Sequence, residues 1–225
     1  MGGDRNEQFP LVKRIVERRQ RPYQPTSMLN DRSSILSLLE TRRSGKPREL
    51  EGPGPTPDEM RRILAIAARV PDHGSLTPWR FVTVAADQRA ALADLLLTAL
   101  AEDNPEATSA HREKETNFAH YAGQLVVLVS APVHDHKIPV WEQELSAGAA
   151  GMNLLTAAHA LGYVAGWVTG WRTYSERVRQ AFCGPAEKIA GFVFIGQPIR
   201  ELEERERTDL SDVWKVWEPP AVEFP

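Results

Sequence analysis

The sequence predicts one domain that mixes helices and strands, and three observations carry that prediction. Apolar runs of strand length, FVTVA at 81–85, LVVLVS at 125–130 and IAGFVFIG at 189–196, are separated by segments with helical periodicity. No internal repeat or low-complexity block interrupts the chain. Its 225 residues, 42% hydrophobic and 25% charged, can bury one sizeable core. Strands that are few and spaced by helices predict a mixed α/β sandwich.

Residues 1–30 read as an N-terminal extension, an arm that is disordered or packed on a partner. VKRIVERRQRPYQP is basic and carries two prolines, and its apolar stripe is only Leu11, Ile15 and Val16. Asp4, Glu7 and Glu17 argue against an organelle transit peptide. The folded domain is expected over 31–225, with Asp31 as N-cap of a first helix carrying Ile35, Leu38 and Leu39 on one face.

That helix runs into TRRS, and a connector, GPGPTP, follows. Thr56, Pro57 and Glu59 then form a capping-box signature, with Met60, Ile63, Leu64 and Ala67 as the buried stripe of a second helix that stops before Pro71. Asp87 is expected to cap a helix through ALADLLLTALAED, and 105–122 is a polar helix or loop. LVVLVS is continuous enough for a strand buried on both faces.

The longest helical segment runs from Trp141 to Leu161, and Gly162 is a suitable stop. Gly148, Ala149, Ala150, Gly151, Ala157 and Ala158 make it rich in small residues. Glycine costs helix stability, so another backbone is expected close by, as in a central or dimer-forming element. Strand YVAGWVT, a helix from Ser175 and strand 189–196 complete the domain, and the tail ending WKVWEPPAVEFP reads as an arm.

Composition excludes several function classes. A net charge of −3 gives no general attraction to nucleic acid or an anionic membrane. No apolar stretch is long enough for a membrane span, and none follows the start as a signal peptide requires. Cys183 is the one cysteine, so there is no intrachain disulfide and no cysteine-cluster metal site, which suits a reducing cytoplasm. His134 and His136, with Asp135, Glu142 and Glu144 nearby, lack recognisable ligand spacing and read as a polar turn before a helix; no metal is expected. No dinucleotide fingerprint, P-loop or serine-hydrolase elbow is present.

Two stretches could carry chemistry. In TRRSGKP, Arg42, Arg43 and Ser44 make either a solvated helix end or one wall of a phosphate site, because guanidinium forks and hydroxyls match phosphate oxygens. In RVPDHGSLTPWRF, Asp72, His73, Gly74, Ser75 and Thr77 crowd donors and acceptors into one loop beside Trp79. Alone, that loop fits a plain helix-to-strand turn as well as a ligand pocket.

Taken in order with KIPVWEQELSAGAA, these stretches resemble the FMN-dependent nitroreductase family, and within it the small single-domain bacterial subgroup. The resemblance covers roughly residues 31–200. It implies an α+β fold with a central mixed or antiparallel sheet flanked by helices. It also implies a homodimer with exchanged terminal segments and FMN at the subunit interface. NADH or NADPH would be the reductant, and a nitroaromatic, quinone or similar flat molecule the acceptor.

By position, the resemblance assigns Arg42, Arg43 and Ser44 to the FMN phosphate and ribityl chain. Arg69 and His73 would reach the flavin of the other chain, and Ser75 would stand beside its ring. Trp167, Val168 and Thr169 would lie along the isoalloxazine, and Arg205 and Arg207 would complete the phosphate site. No dedicated catalytic acid or base is expected, because the chemistry is flavin-centred. Two departures stand out: Ser75 replaces an asparagine common in the family, and Thr77 a glutamine. A flavin-binding protein without reductase turnover, or an oxygen-using flavin enzyme on the same fold, are the alternatives.

Overall fold

The computed structural model describes residues 28–220; the arm expected over 1–30 lies outside the described residues up to position 27. The first helix, α1 (Ile35–Thr41), is capped by Ser34, whose hydroxyl accepts from the Ser37 amide at 3.0 Å. Asp31 is therefore not the N-cap: its carboxylate accepts from the amide and hydroxyl of Ser33, closing a turn just before the helix. Leu38 is buried, but Ile35 and Leu39 are exposed.

A two-residue strand, β1 (Leu50–Glu51), precedes α2 (Pro57–Ala67). The capping box is realised in both directions: Glu59 N–H donates to Thr56 Oγ1 and Thr56 N–H to Glu59 Oε2. Met60, Ile63 and Ala67 form its buried stripe, with Leu64 partly buried beside them.

β2 (Trp79–Val84) leads into a single 3₁₀ turn and then α3 (Arg89–Asp103). Asp87 sits inside that turn and does not cap α3; the Gln88 side chain closes the turn by accepting from the Ala85 amide at 2.9 Å. The polar stretch folds as α4 (Ser109–Ala119), followed by β3 (Gln124–Ser130) and α5 (Val140–Ala160). Past Gly162, which takes φ +93°, come β4 (Val164–Val168), a one-turn helix α6 (Trp171–Tyr174) that the sequence did not reveal, and α7 (Glu176–Phe182). β5 (Lys188–Pro198) ends the core, and α8 (Leu210–Val213) is a single turn in an exposed tail.

Every strand pairing is antiparallel, which makes the fold α+β. β5 lies between β3 and β4 and also pairs with β1 at its end, and β2 flanks β3. On one face Leu92, Leu96, Phe118 and Val178, from α3, α4 and α7, pack on Leu125, Val127, Phe192 and Phe194. On the other, Ile63 of α2 and Leu154 and Ala158 of α5 pack on Val126, Val193 and Ile195. Alternate residues of β3 thus point into two cores, which is why its sequence is apolar without alternation.

A bulge between β3 and β5 leaves Ala190 unpaired, and its carbonyl accepts from Trp167 Nε1 at 3.0 Å. The Trp167 indole fills the space between Gly151 of α5 and Gly191 of β5, where any added Cβ would collide with it. The close approach expected at Gly151 is therefore made by a side chain of the same molecule. A Cβ added at Gly148 would meet no atom of the described residues within 4 Å beyond its own stretch of helix.

Candidate functional site

Asn30 ends α1 by bracketing Arg43: its Oδ1 accepts from the Arg43 amide at 2.8 Å and its Nδ2 donates to the Arg43 carbonyl at 3.1 Å. The chain then runs flush along the edge of β4, with Gly45 N–H donating to the Ala165 carbonyl at 3.2 Å. Contact this close requires glycine at 166, because a Cβ there would strike the Gly45 carbonyl.

This path gathers the basic residues. Arg42 Nη1 donates to Ser44 Oγ at 3.1 Å, and Arg43 donates to the carbonyls of Ser44 and Glu203. From the tail, Arg207 Nη2 donates to the Arg42 carbonyl at 3.1 Å and to Glu204 Oε1 at 2.7 Å. Burial lowers the Arg42 pKa first, and the charges of Arg207, Arg205 and Arg43 add to that, against Glu204 alone. Three neighbouring arginines thus act on Arg42 against one carboxylate, while Glu49, Glu201 and Glu203 line the adjoining cleft with Lys46 and Arg200. Such a concentration of guanidinium groups can attract an anion. The structure brings Arg42, Arg43, Ser44, Arg205 and Arg207 together.

From the cluster, Gly45 and Lys46 lead to a cavity of about 440 Å³ that reaches Val168, Thr169, Phe118 and Tyr121. Its size and mixed aromatic and basic lining suit a planar anionic ligand. Lys46 lines this cavity and also the small cleft beside Arg43 and Ser44, and it was not singled out in the sequence, although it stands within the TRRSGKP stretch. The Trp167 side chain is not part of this lining; strand alternation turns it to the opposite face, so only its backbone can serve the cleft.

Arg69, His73 and Ser75 are not part of this group. His73 Nδ1 stands 2.8 Å from Glu142 Oε2 in the first turn of α5, and the Arg69 carbonyl accepts from Asn153 further along that helix. The arginine cluster lies near the other end, where Arg42 acts electrostatically on His159. From Glu142 to His159 the helix advances about 26 Å, too far for one flavin to touch both ends in one chain. The loop itself is strained: Ser75 and Thr77 take φ +55° and +49°, and Asp72 holds the turn by accepting from the Leu76 and Thr77 amides.

Other polar candidates are accounted for locally. His134 Nε2 faces the Ala186 carbonyl and His136 Nδ1 accepts from the Ile138 amide. Among the described residues, no group of three or more His, Cys, Asp or Glu converges on a metal position. Burial raises the Cys183 thiol to about 11, so the sulfur stays protonated near neutral pH. No helix among the described residues is long and apolar enough to cross a membrane.

Residues 39–197 match the sequence profile of the nitroreductase family. The chain belongs to that family. An Escherichia coli K12 relative provisionally named the NAD(P)H nitroreductase YdjA is 36% identical over 165 residues, 72% of this chain and 87% of that one. A provisionally named NAD(P)H nitroreductase of Haemophilus influenzae is 33% identical over 79% of this chain and 96% of its own length. Among solved structures, a nitroreductase-like protein from Bacillus cereus superposes with TM-score 0.70 at 20% identity, covering 83% of this chain and 97% of that one. A Bacteroides fragilis nitroreductase with bound FMN gives 0.62 at 20% identity, over 83% of this chain and all of the other. These last two establish the fold.

Proposed function

We propose that the chain is a homodimeric FMN-dependent oxidoreductase that passes hydride from NADH or NADPH to a nitroaromatic, quinone or similar flat acceptor, in the cytoplasm. The observation that carries this is the cluster of Arg42, Arg43, Arg205 and Arg207 with Ser44, opening through Lys46 into a cavity lined by Phe118, Tyr121, Val168 and Thr169. That donor set fits a phosphate monoester, which carries about −2 charge near neutral pH. Val168 and Thr169, at the far end, would place backbone groups against a bound ring.

The dimer is supported by α5. Trp141, Leu145 and Met152 are exposed on one helical stripe, and the open Gly148 lies between them. Two such stripes crossing antiparallel would carry Arg69, His73 and Ser75 of one chain to the arginine cluster of the other. When bound, FMN supplies a two-electron carrier between nicotinamide and acceptor. The residues of this chain anchor its anionic end, shape the cavity that orients donor and acceptor, and present donors to the ring.

The test is an absorption spectrum of the purified protein. A yellow dimer is expected, bleached by NADH or NADPH and recoloured by menadione or a nitroaromatic. Bound flavin that neither nucleotide bleaches would overturn the reductase reading. A colourless monomer after incubation with FMN would overturn the site itself.

A further inference from the structure

The 2.8 Å contact between His73 and Glu142 joins residues 69 positions apart, and both partners are seated by independent contacts. On the loop side, Gly74 packs so closely on Ile138 that a Cβ there would stand 2.5 Å from its Cδ1, and Asp72 fixes the turn through two backbone amides. On the helix side, the neighbouring Gln143 is buried and clamps the incoming chain: Oε1 accepts from the Val133 amide at 2.8 Å, and Nε2 donates to the carbonyls of Val133 and Ile138 at 3.0 Å. Gln143 thus fixes the first turn of α5, and Glu142 projects from it to the imidazole.

An ionised carboxylate only accepts hydrogen bonds, so the proton between them belongs to Nδ1 of His73. The partner of one ring nitrogen decides the role of the other. Among the described residues no hydrogen bond reaches Nε2, and the His73 side chain is 67% exposed. We infer that Glu142 is a positioning residue: it locks the His73 ring with the proton on Nδ1, leaving Nε2 as the atom presented to the flavin site of a partner chain. The inference rests on the proposed FMN site and adds to it a residue that orients the contact and does not itself touch the flavin.

The experiment uses the full-length protein, with His73 ring signals assigned by comparison with His73→Gln. Long-range ¹H–¹⁵N spectra at alkaline pH, where imidazoles are neutral, should report the Nδ1–H tautomer in the wild type. Glu142→Ala should release it to the tautomer mixture of a free imidazole, while Glu142→Gln, whose amide oxygen still accepts, should retain it. FMN affinity, read by flavin fluorescence, should weaken about tenfold in His73→Ala and in Glu142→Ala, with Glu142→Gln closer to wild type. An unchanged tautomer in Glu142→Ala would overturn the inference. So would weakened flavin binding in His73→Ala with none in Glu142→Ala. Wild-type affinity in His73→Ala would instead overturn the underlying site assignment, and the inference with it.

Discussion

Arg207 donates to the backbone carbonyl of Arg42 at 3.1 Å, joining the tail to the end of α1 across 165 residues of sequence. The tail would therefore be a wall of the proposed anion site as well as an appendage of the sheet. Arg207→Ala is expected to weaken FMN binding about ten- to hundredfold, the range for one charge-assisted hydrogen bond. The double replacement of Arg42 and Arg43 by alanine should yield protein that purifies without flavin. Fluorescence titration measures the first and the visible spectrum the second.

The ion pair of Arg172 and Glu115 is buried, with 6% and 2% of each residue exposed. Arg172 Nη2 donates to Glu115 Oε1 at 2.6 Å, Trp171 Nε1 donates to the same oxygen, and the guanidinium lies 3.8 Å from the Phe118 ring centroid. Arg172→Met leaves a carboxylate buried without its partner, and should cost about 3–5 kcal/mol in urea unfolding. Replacing both partners with methionine should cost less than that single change.

His159 is fully buried, and burial pushes its pKa down to about 4, with the Tyr163 carbonyl opposing and the Arg42 charge assisting. The folded protein keeps this ring neutral while the unfolded chain protonates it near 6.5. Unfolded protein therefore binds more protons between those values, and stability falls as pH drops from 6.5 to 4. The contribution is about 3 kcal/mol, complete above pH 6.5 and lost below pH 4. Comparing the pH dependence of unfolding in wild type and His159→Gln isolates it: the variant should show the shallower decline.

Thr77 is exposed, β-branched and held at φ +49°. Thr77→Gly removes that backbone strain and is expected to raise stability by about 1 kcal/mol, despite the added freedom of the unfolded chain. Thermal unfolding measures it.

Patterns local in sequence were the legible ones. The Thr56–Glu59 capping box, the two-sided burial of LVVLVS and the span of α5 follow from spacing alone. Asp31 does not cap α1 because it closes a turn onto Ser33 while Ser34 takes the cap, and Asp87 does not cap α3 because it sits inside a turn that Gln88 closes. The one-turn α6 carries no period to detect. At the site, the arginines of TRRSGKP acquired meaning only through resemblance, since their link to Arg207 spans most of the chain. Glu142 was passed over as part of a polar turn because its partner, His73, is distant in sequence. Nothing in the sequence signals that Ser75 and Thr77 adopt left-handed backbone.

The length of α5 separates the two halves of each proposed flavin contact onto different molecules, and this has a genetic consequence. A chain lacking Arg42 and Arg43 and a chain lacking His73 should each be defective alone. Co-expressed, they should form mixed assemblies in which one centre inherits both lesions and the other inherits none. Restored turnover approaching half the wild-type value per mixed pair would be the signature of such intersubunit complementation.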